Sequence, residues 1–304
     1  MELLFLGTGA GTPSRLRNVS SVALTLTDEG GSVWLFDCGE GTQHRILRTA
    51  ISPGKIEKIF ITHLHGDHIF GLPGLLTSRS MLGTNGALML YGPTGIKAYV
   101  EIALATSASY LTYPLEIVEF EPGVIHQDDR FCVTALPLNH VVPSFGYRIE
   151  ESDRPGSLDA ARLKAAGIRP GPLFQRLKAA ERVQLDDGRI IDGRDFLGPS
   201  IKGRKVAIFG DTAPAENASL LANGVDLMVH EATLEASMAE RANGRGHSTT
   251  RQAAQAAKDA GAKRLIVTHL SPRYGKEDEE RLLEECRTVF PNTEMAADLT
   301  SFTV

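Results

Sequence analysis

The segment His63-Leu64-His65-Gly66-Asp67-His68 places four side chains able to bind a metal within six residues, directly after the apolar run Lys58–Ile61. Imidazole suits zinc, and a carboxylate can either ligate or take a proton. A single structural tetrahedral site does not draw four ligands from one such loop. The density therefore points to two metals, with His63 and His65 serving one and Asp67 and His68 the other. Without a cation, groups packed this closely would repel and lose hydration without return. Further ligands are needed, and other loops supply them. His140 can complete the first site, His269 the second, and Asp211 can bridge. The bridge is required because two cations held ~3.5–4 Å apart need a shared anion. Asp67, next to the position of a shared water, is also the candidate catalytic base.

Each of these groups follows a short run rich in β-branched or aromatic residues, the signature of a strand. Ser32–Phe36 leads into Asp37, Phe131–Leu138 into His140, and Lys205–Phe209 into Asp211. Val225–Val229 leads into His230 and Glu231, and Arg264–Val267 into His269. Between the runs, Thr42–Ala50, Gly95–Leu104, Thr249–Ala260 and Glu277–Val289 carry apolar residues at helical spacing. Ser248-Thr249-Thr250 is a plausible cap for the third. Alternating strands and helices predict an α/β architecture, with a site assembled from loops at one rim. One stretch departs from the pattern. From Glu151 to Pro199 the chain reads as a loop-like insertion in a single domain spanning residues 1–304. Within it, Ala160–Ala180 holds Arg162, Lys164, Arg169, Arg176 and Lys178 and no acid. These five cations are candidate contacts to an RNA backbone.

The bulk numbers narrow the classes. The chain has 304 residues, 42% hydrophobic and 23% charged, an ordinary globular composition. Three scattered cysteines (Cys38, Cys132, Cys286) with no CxxC pair exclude a disulfide framework and a thiolate zinc site. No uncharged apolar run reaches the ~18 residues of a membrane span, and the first residues lack the pattern of a secretory signal. A cytoplasmic protein without a membrane partner is expected. The net charge of −5 gives no general affinity for nucleic acid, so RNA binding must rest on local patches.

The pattern His63-x-His65-x-Asp67-His68 with His140, Asp211 and His269 resembles the metallo-β-lactamase superfamily. Phe5-Leu6-Gly7-Thr8-Gly9, Asp37-Cys38-Gly39-Glu40-Gly41-Thr42-Gln43, Ile69-Phe70-Gly71-Leu72-Pro73, His230-Glu231-Ala232-Thr233 and Gly246-His247-Ser248-Thr249 look like bacterial ribonuclease Z in its short enterobacterial form. The resemblance covers nearly the whole chain. It implies an α/β metallo-β-lactamase fold, an αβ/βα four-layer sandwich with an inserted flexible arm, and two zinc ions per subunit at one edge. It implies endonucleolytic cleavage of precursor tRNA after the discriminator base, leaving a 3′-hydroxyl. It also implies a homodimer in which the arm of one subunit grips the tRNA bound by the other. No DNA partner is expected. His247 would act on the developing charge or the leaving oxygen, with His230 and Glu231 in support. The family's PxKxRN loop reads here Pro13-Ser14-Arg15-Leu16-Arg17-Asn18, with arginine at the lysine position. Arg15 and Arg17 are thus candidate RNA contacts near the 3′ end.

The alternatives belong to other classes. A small-molecule phosphodiesterase could use the same fold, but would not require the arm or the Pro13–Asn18 loop. A catalytically dead RNA-binding scaffold would be expected to have lost ligands, and none is missing. Exonucleolytic trimming by the same site is separable only by product sizes.

Overall fold

A computed structural model describes residues 1–185 and 187–304. The chain divides into two compact units. The first comprises residues 1–127, 133–149 and 205–304, and the second residues 128–132 and 150–204.

The first unit is built on two seven-stranded sheets. In one, the order is Ser301–Thr303, Glu2–Gly7, Ser21–Leu26, Ser32–Phe36, Ile56–Phe60, Leu88–Gly92 and Leu115–Glu119. Its first four strands pair antiparallel and the rest parallel. In the other, the order is Thr293–Met295, Leu265–Thr268, Leu227–Glu231, Lys205–Ile208, Phe145–Glu151, Phe131–Pro137 and Gly123–Gln127. The sheets meet through aromatic side chains. Tyr147 of the second packs on Phe36 and Phe60 of the first at ring separations of 5.8 and 5.4 Å. Its hydroxyl donates to the Ile61 carbonyl at 2.5 Å. Helices cover the outer faces. Leu72, Leu75, Leu76, Ile96 and Val100, from helices Leu72–Met81 and Ile96–Thr106, seal the first sheet. Ala253, Ala254, Ala257, Leu282 and Cys286, from helices Thr250–Asp259 and Glu279–Arg287, seal the second. The result is the expected αβ/βα sandwich.

Local chemistry explains the element ends. Thr249 caps its helix with the reciprocal Thr249–Gln252 capping box. The helix at Thr42–Ile46 stops several residues short of the expected Ala50. The strand Leu227–Glu231 runs two residues past the expected Val229, taking His230 and Glu231 into the sheet. Cys38 and Cys286 are buried free thiols, and burial pushes the Cys38 thiol up to about 12, so both act as small apolar residues.

The second unit is where sequence and structure part. The stretch read as loop-like holds helices Ala160–Ala165 and Pro172–Lys178 and a hairpin of Arg182–Gln184 with Ile190–Asp192. They enclose a core of their own, formed by Leu163, Ile168, Leu177 and Val183. Each helix is under two and a half turns, too short to show a clear apolar period, and is held by packing rather than propensity. Within this unit, the fully buried Glu151 carboxylate accepts from Arg204 Nε at 2.7 Å and Arg130 Nη2 at 3.0 Å, with Arg154 Nε 3.7 Å away. Burial raises the Glu151 pKa, but the arginines outweigh it and hold the group at about 2. Because the folded value lies below the unfolded one, this stabilisation is complete above about pH 4.5 and fades as pH falls toward 2. Glu151→Gln is expected to cost about 2 kcal/mol at pH 7, since it removes the buried charge that three half-buried guanidiniums share. Hydrogen-exchange protection across residues 150–204 should fall accordingly. Wild-type protection at pH 7 in the variant would refute this stabilising role.

Candidate metal centre

Parallel strands in open α/β sheets place ligand sites beyond their carboxyl ends. Here both sheets do so at one edge. Ser32–Phe36 and Ile56–Phe60 end in register, Phe36 opposite Phe60, and lead into Asp37 and the 63–68 loop. Lys205–Ile208, Leu227–Glu231 and Leu265–Thr268 lead into or end at Asp211, Glu231 and His269, with Glu231 opposite Thr268. The seven residues expected as ligands gather there in two groups: His63, His65 and His140, and Asp67, His68, Asp211 and His269.

Hydrogen bonds fix which imidazole nitrogens face inward. His140 Nδ1 lies 2.7 Å from the Gly246 carbonyl, which can only accept, so Nδ1 carries a proton. Thr62 Oγ1 donates to Asp37 Oδ2 at 2.9 Å and therefore accepts from His63 Nδ1 at 3.0 Å. The Nε2 lone pairs of both neutral rings then point at His65 Nδ1, from 3.1 Å (His63) and 3.2 Å (His140). A proton on His65 Nδ1 could satisfy only one of them. A tetrahedral zinc with bonds of about 2.0–2.1 Å spaces its ligand atoms by about 3.3 Å, so these separations suit a cation.

The second group has the same logic. His68 Nδ1 donates to Asp37 Oδ2 at 2.7 Å. Thr233 Oγ1 donates to Glu231 Oε2 at 2.6 Å and accepts from His269 Nδ1 at 3.0 Å. Both Nε2 atoms are buried and, among the described residues, without a hydrogen-bond partner. They face Asp67 Oδ2, each at 3.5 Å, and Asp211, at 3.5 Å (His68) and 3.4 Å (His269). Asp211 Oδ2 also lies 3.8 Å from His63 Nε2, which suits it to bridge the groups. Burial of His68 opposes a charge, yet the Asp211 and Asp37 carboxylates hold its pKa well above normal. A field that retains a proton there would equally retain a metal cation. Burial and the neighbouring imidazoles push His63 the other way, toward the neutral form a ligand requires. The donor set of imidazole and carboxylate, without thiolate, fits zinc.

His247 sits over both groups, 5.2 Å (ring to ring) from His140 and 5.6 Å from His269. Its Nδ1 contacts Glu231 Oε1 at 3.0 Å and Asp211 Oδ2 at 3.7 Å. Burial lowers its pKa, but the Glu231 carboxylate more than compensates and raises it to about 9. Gly246 must be glycine. It has φ of +74°, and a Cβ would lie 2.6 Å from His140 Nδ1.

Three expected supporting or RNA-binding placements need correction. His230 turns away from the centre; its Nδ1 bonds the Glu231 carbonyl at 2.6 Å and its ring packs on Phe209. Because both residues are in the strand, alternation sends Glu231 to the site and His230 into the core. Arg17 is buried, donating to Thr8 Oγ1 and the Ala296 carbonyl, both at 2.7 Å, and to Glu279 at 2.5 Å. It braces the Pro13–Asn18 loop from within and has no face for RNA, whereas Arg15 is exposed. In the second unit, Arg176 pairs with Glu181 at 2.8 Å, and Arg162 donates to the Asp195 carbonyl while lying over Phe196. Lys164, Arg169 and Lys178 remain exposed with no ion pair among the described residues. Glu181, just outside 160–180, folds back onto Arg176, which a charge count over 160–180 cannot show.

Sequence reasoning gave no role to Asp37, Thr62 or Thr233. Asp37 accepts from the Thr62 amide and hydroxyl and from His68, and so orients histidines of both groups. A carboxylate directly after a strand and two residues before a glycine, like the other polar groups at strand ends, is the signal that could have marked it. Asp37 and His269 both have φ of +59°, an uncommon conformation that the packed rim maintains.

A sandwich of this layering with such a centre at its edge defines a protein of the metallo-β-lactamase fold. Residues 175–270 match a family model for the β-lactamase superfamily domain, and residues 1–131 one for the anti-Pycsar protein Apyc1. The chain is 63% identical over 302 residues to ribonuclease BN of Erwinia tasmaniensis, covering 99% of each. It is similar to the solved structure of the human short-form tRNase Z (TM-score 0.73, 30% identity, covering 100% of this chain and 99% of that one). It also resembles the metallo-β-lactamase fold protein YhfI of Bacillus subtilis (TM-score 0.68, 19% identity, 99% and 98% covered). The chain belongs to the ribonuclease BN family.

Proposed function

We propose that this protein is a zinc-dependent endoribonuclease that cleaves precursor tRNA after the discriminator base, removes the 3′ trailer and leaves a 3′-hydroxyl. The observation that carries the reading is the pair of inward-facing ligand groups joined by Asp211. The name of the full-length relative and the tRNase Z neighbour supply the substrate class. His63, His65 and His140 would hold one zinc, Asp67, His68 and His269 the other, with Asp211 shared. Bound there, the zinc ions would neutralise phosphate oxygens and acidify a water.

The chain's own groups do the rest. Asp67 Oδ2 is held by the Gly11 amide at 2.8 Å and faces His68 and His269, which leaves Oδ1 to orient the attacking water and take its proton. His247, charged beside Glu231, donates to the leaving 3′ oxygen or the phosphate. The reading includes a cytoplasmic homodimer. Among the described residues, no helix is long and apolar enough to cross a membrane.

The test uses precursor tRNA labelled at its 5′ end, zinc-loaded protein and a chelator control. One chelator-sensitive cut just after the discriminator base is expected. A ladder of single-nucleotide steps would replace endonuclease with trimming, and cleavage of small phosphodiesters alone would sink the RNA reading.

RNA grip is assigned to Lys164, Arg169 and Lys178, with Arg15 near the centre. Changing the three arm cations to glutamine should weaken precursor binding and lower the slope of log affinity against log salt by about one per lost phosphate contact. Hydrolysis of bis-p-nitrophenyl phosphate should not change. Equal losses on both substrates would point to folding instead.

A further inference from the structure

Beside the metal centre runs an open groove of about 400 Å³, within the range of ligand clefts, roughly 300–1,000 Å³. One wall is Gly11, Thr12 and Pro13, another is Glu40, and the floor includes His65 and Asp67. The remaining wall is Phe70, two residues past His68 and 63% exposed. This large apolar ring, left in water beside a polar centre, stacks on no other aromatic ring among the described residues. Its position is nonetheless set: the ring lies flush against Gly66, where an added Cβ would sit 2.2 Å from Phe70 Cε2. Gly66 stands between His65 and Asp67, so ring and centre share one rigid loop.

The charges decide what the groove accepts. Asp67 would be neutralised by the metal it holds, so the carboxylate left to the groove is Glu40, and among the described residues its lining has neither lysine nor arginine. It therefore offers a phosphate no side-chain cation and suits a flat, uncharged group with hydrogen-bond donors at its edge. A nucleobase is such a group: it stacks on an aromatic ring, and its exocyclic amine can donate to Glu40. A strand whose phosphate reaches the centre must put a neighbouring base over this wall.

We propose that Phe70 is the stacking platform for the base flanking the scissile phosphate. The inference rests on the RNA-cleaving function above and adds the element that positions its substrate. Stacking on an aromatic residue tolerates any base, so Phe70 would align the strand without selecting its sequence.

The zinc-loaded full-length protein is assayed for kcat/KM on precursor tRNA, intact or with an abasic nucleotide at each of the two positions flanking the cut. Phe70→Ala should lower kcat/KM on intact precursor about 10- to 100-fold, whereas Phe70→Trp should stay within about threefold of wild type. At one of the two positions, the abasic change should cost wild type a similar factor, and Phe70→Ala should then lose nothing more. An undiminished Phe70→Ala loss on both abasic substrates would overturn the proposal. So would a loss traced to altered oligomeric state in Phe70→Ala. If wild type fails to cut intact precursor, the RNA reading itself fails, visibly and before any variant is compared, and the platform falls with it.

Discussion

Asp67→Ala should reduce single-turnover cleavage of precursor RNA by about 10⁴-fold or more, with loss of part of the bound zinc. The size follows from two roles removed together. A positioned base contributes about 10²–10⁴-fold, and an impaired metal site costs several kcal/mol of charge stabilisation. Asp67 Oδ2 faces both orphaned nitrogens, His68 Nε2 and His269 Nε2, so its removal opens the second ligand group. It also frees the Gly11 amide, whose hydrogen bond tethers the loop before Pro13. Asp67→Asn keeps a ligating oxygen but no base, and should hold more zinc than the alanine variant while remaining slow. Zinc content by atomic absorption, measured alongside rate, separates the roles. More than a tenth of wild-type rate in Asp67→Ala would remove Asp67 from the mechanism.

His247→Ala should lower turnover about 10²–10³-fold while zinc content stays near that of wild type. The reason lies in what Glu231 keeps. Without His247, its carboxylate still accepts from the Thr212 amide at 3.0 Å, the Thr233 amide at 3.0 Å and the Thr233 hydroxyl at 2.6 Å. The buried charge stays satisfied, and Thr233 continues to hold His269 in its tautomer. The loss should therefore appear in the chemical step and little in binding. If His247→Ala lost a metal equivalent, His247 would be a ligand rather than a proton donor, a reading its grouping with Glu231 and His269 keeps physically concrete.

Much of the rim is legible in the sequence because ligand chemistry is local. His63, His65, Asp67 and His68 fall in one loop, and no other use of four such groups in six residues repays their desolvation. His140, Asp211 and His269 could be added because each follows a strand, and strand ends in α/β folds collect at one edge. The sandwich followed from the same alternation of runs. Arm, His230 and Arg17 were misread for a common reason: each turns on which way a side chain faces or what covers it. The arm's helices are too short to declare themselves, and their core exists only when Leu163, Ile168, Leu177 and Val183 meet. One extra pair of residues in a strand sends His230 inward. Arg17 looks like a free cation until Glu279, hundreds of residues away, closes on it.

By itself, the sequence determined which residues are able to hold a metal, since donor atoms and spacing are properties of the chain. Only the tertiary structure decided which nitrogen of each histidine faces the centre, that Asp37 and Thr233 orient the ligands, and that an exposed Phe70 borders the groove. Those depend on hydrogen bonds and packing between segments far apart in sequence, whose partners are chosen only when the two sheets close on each other.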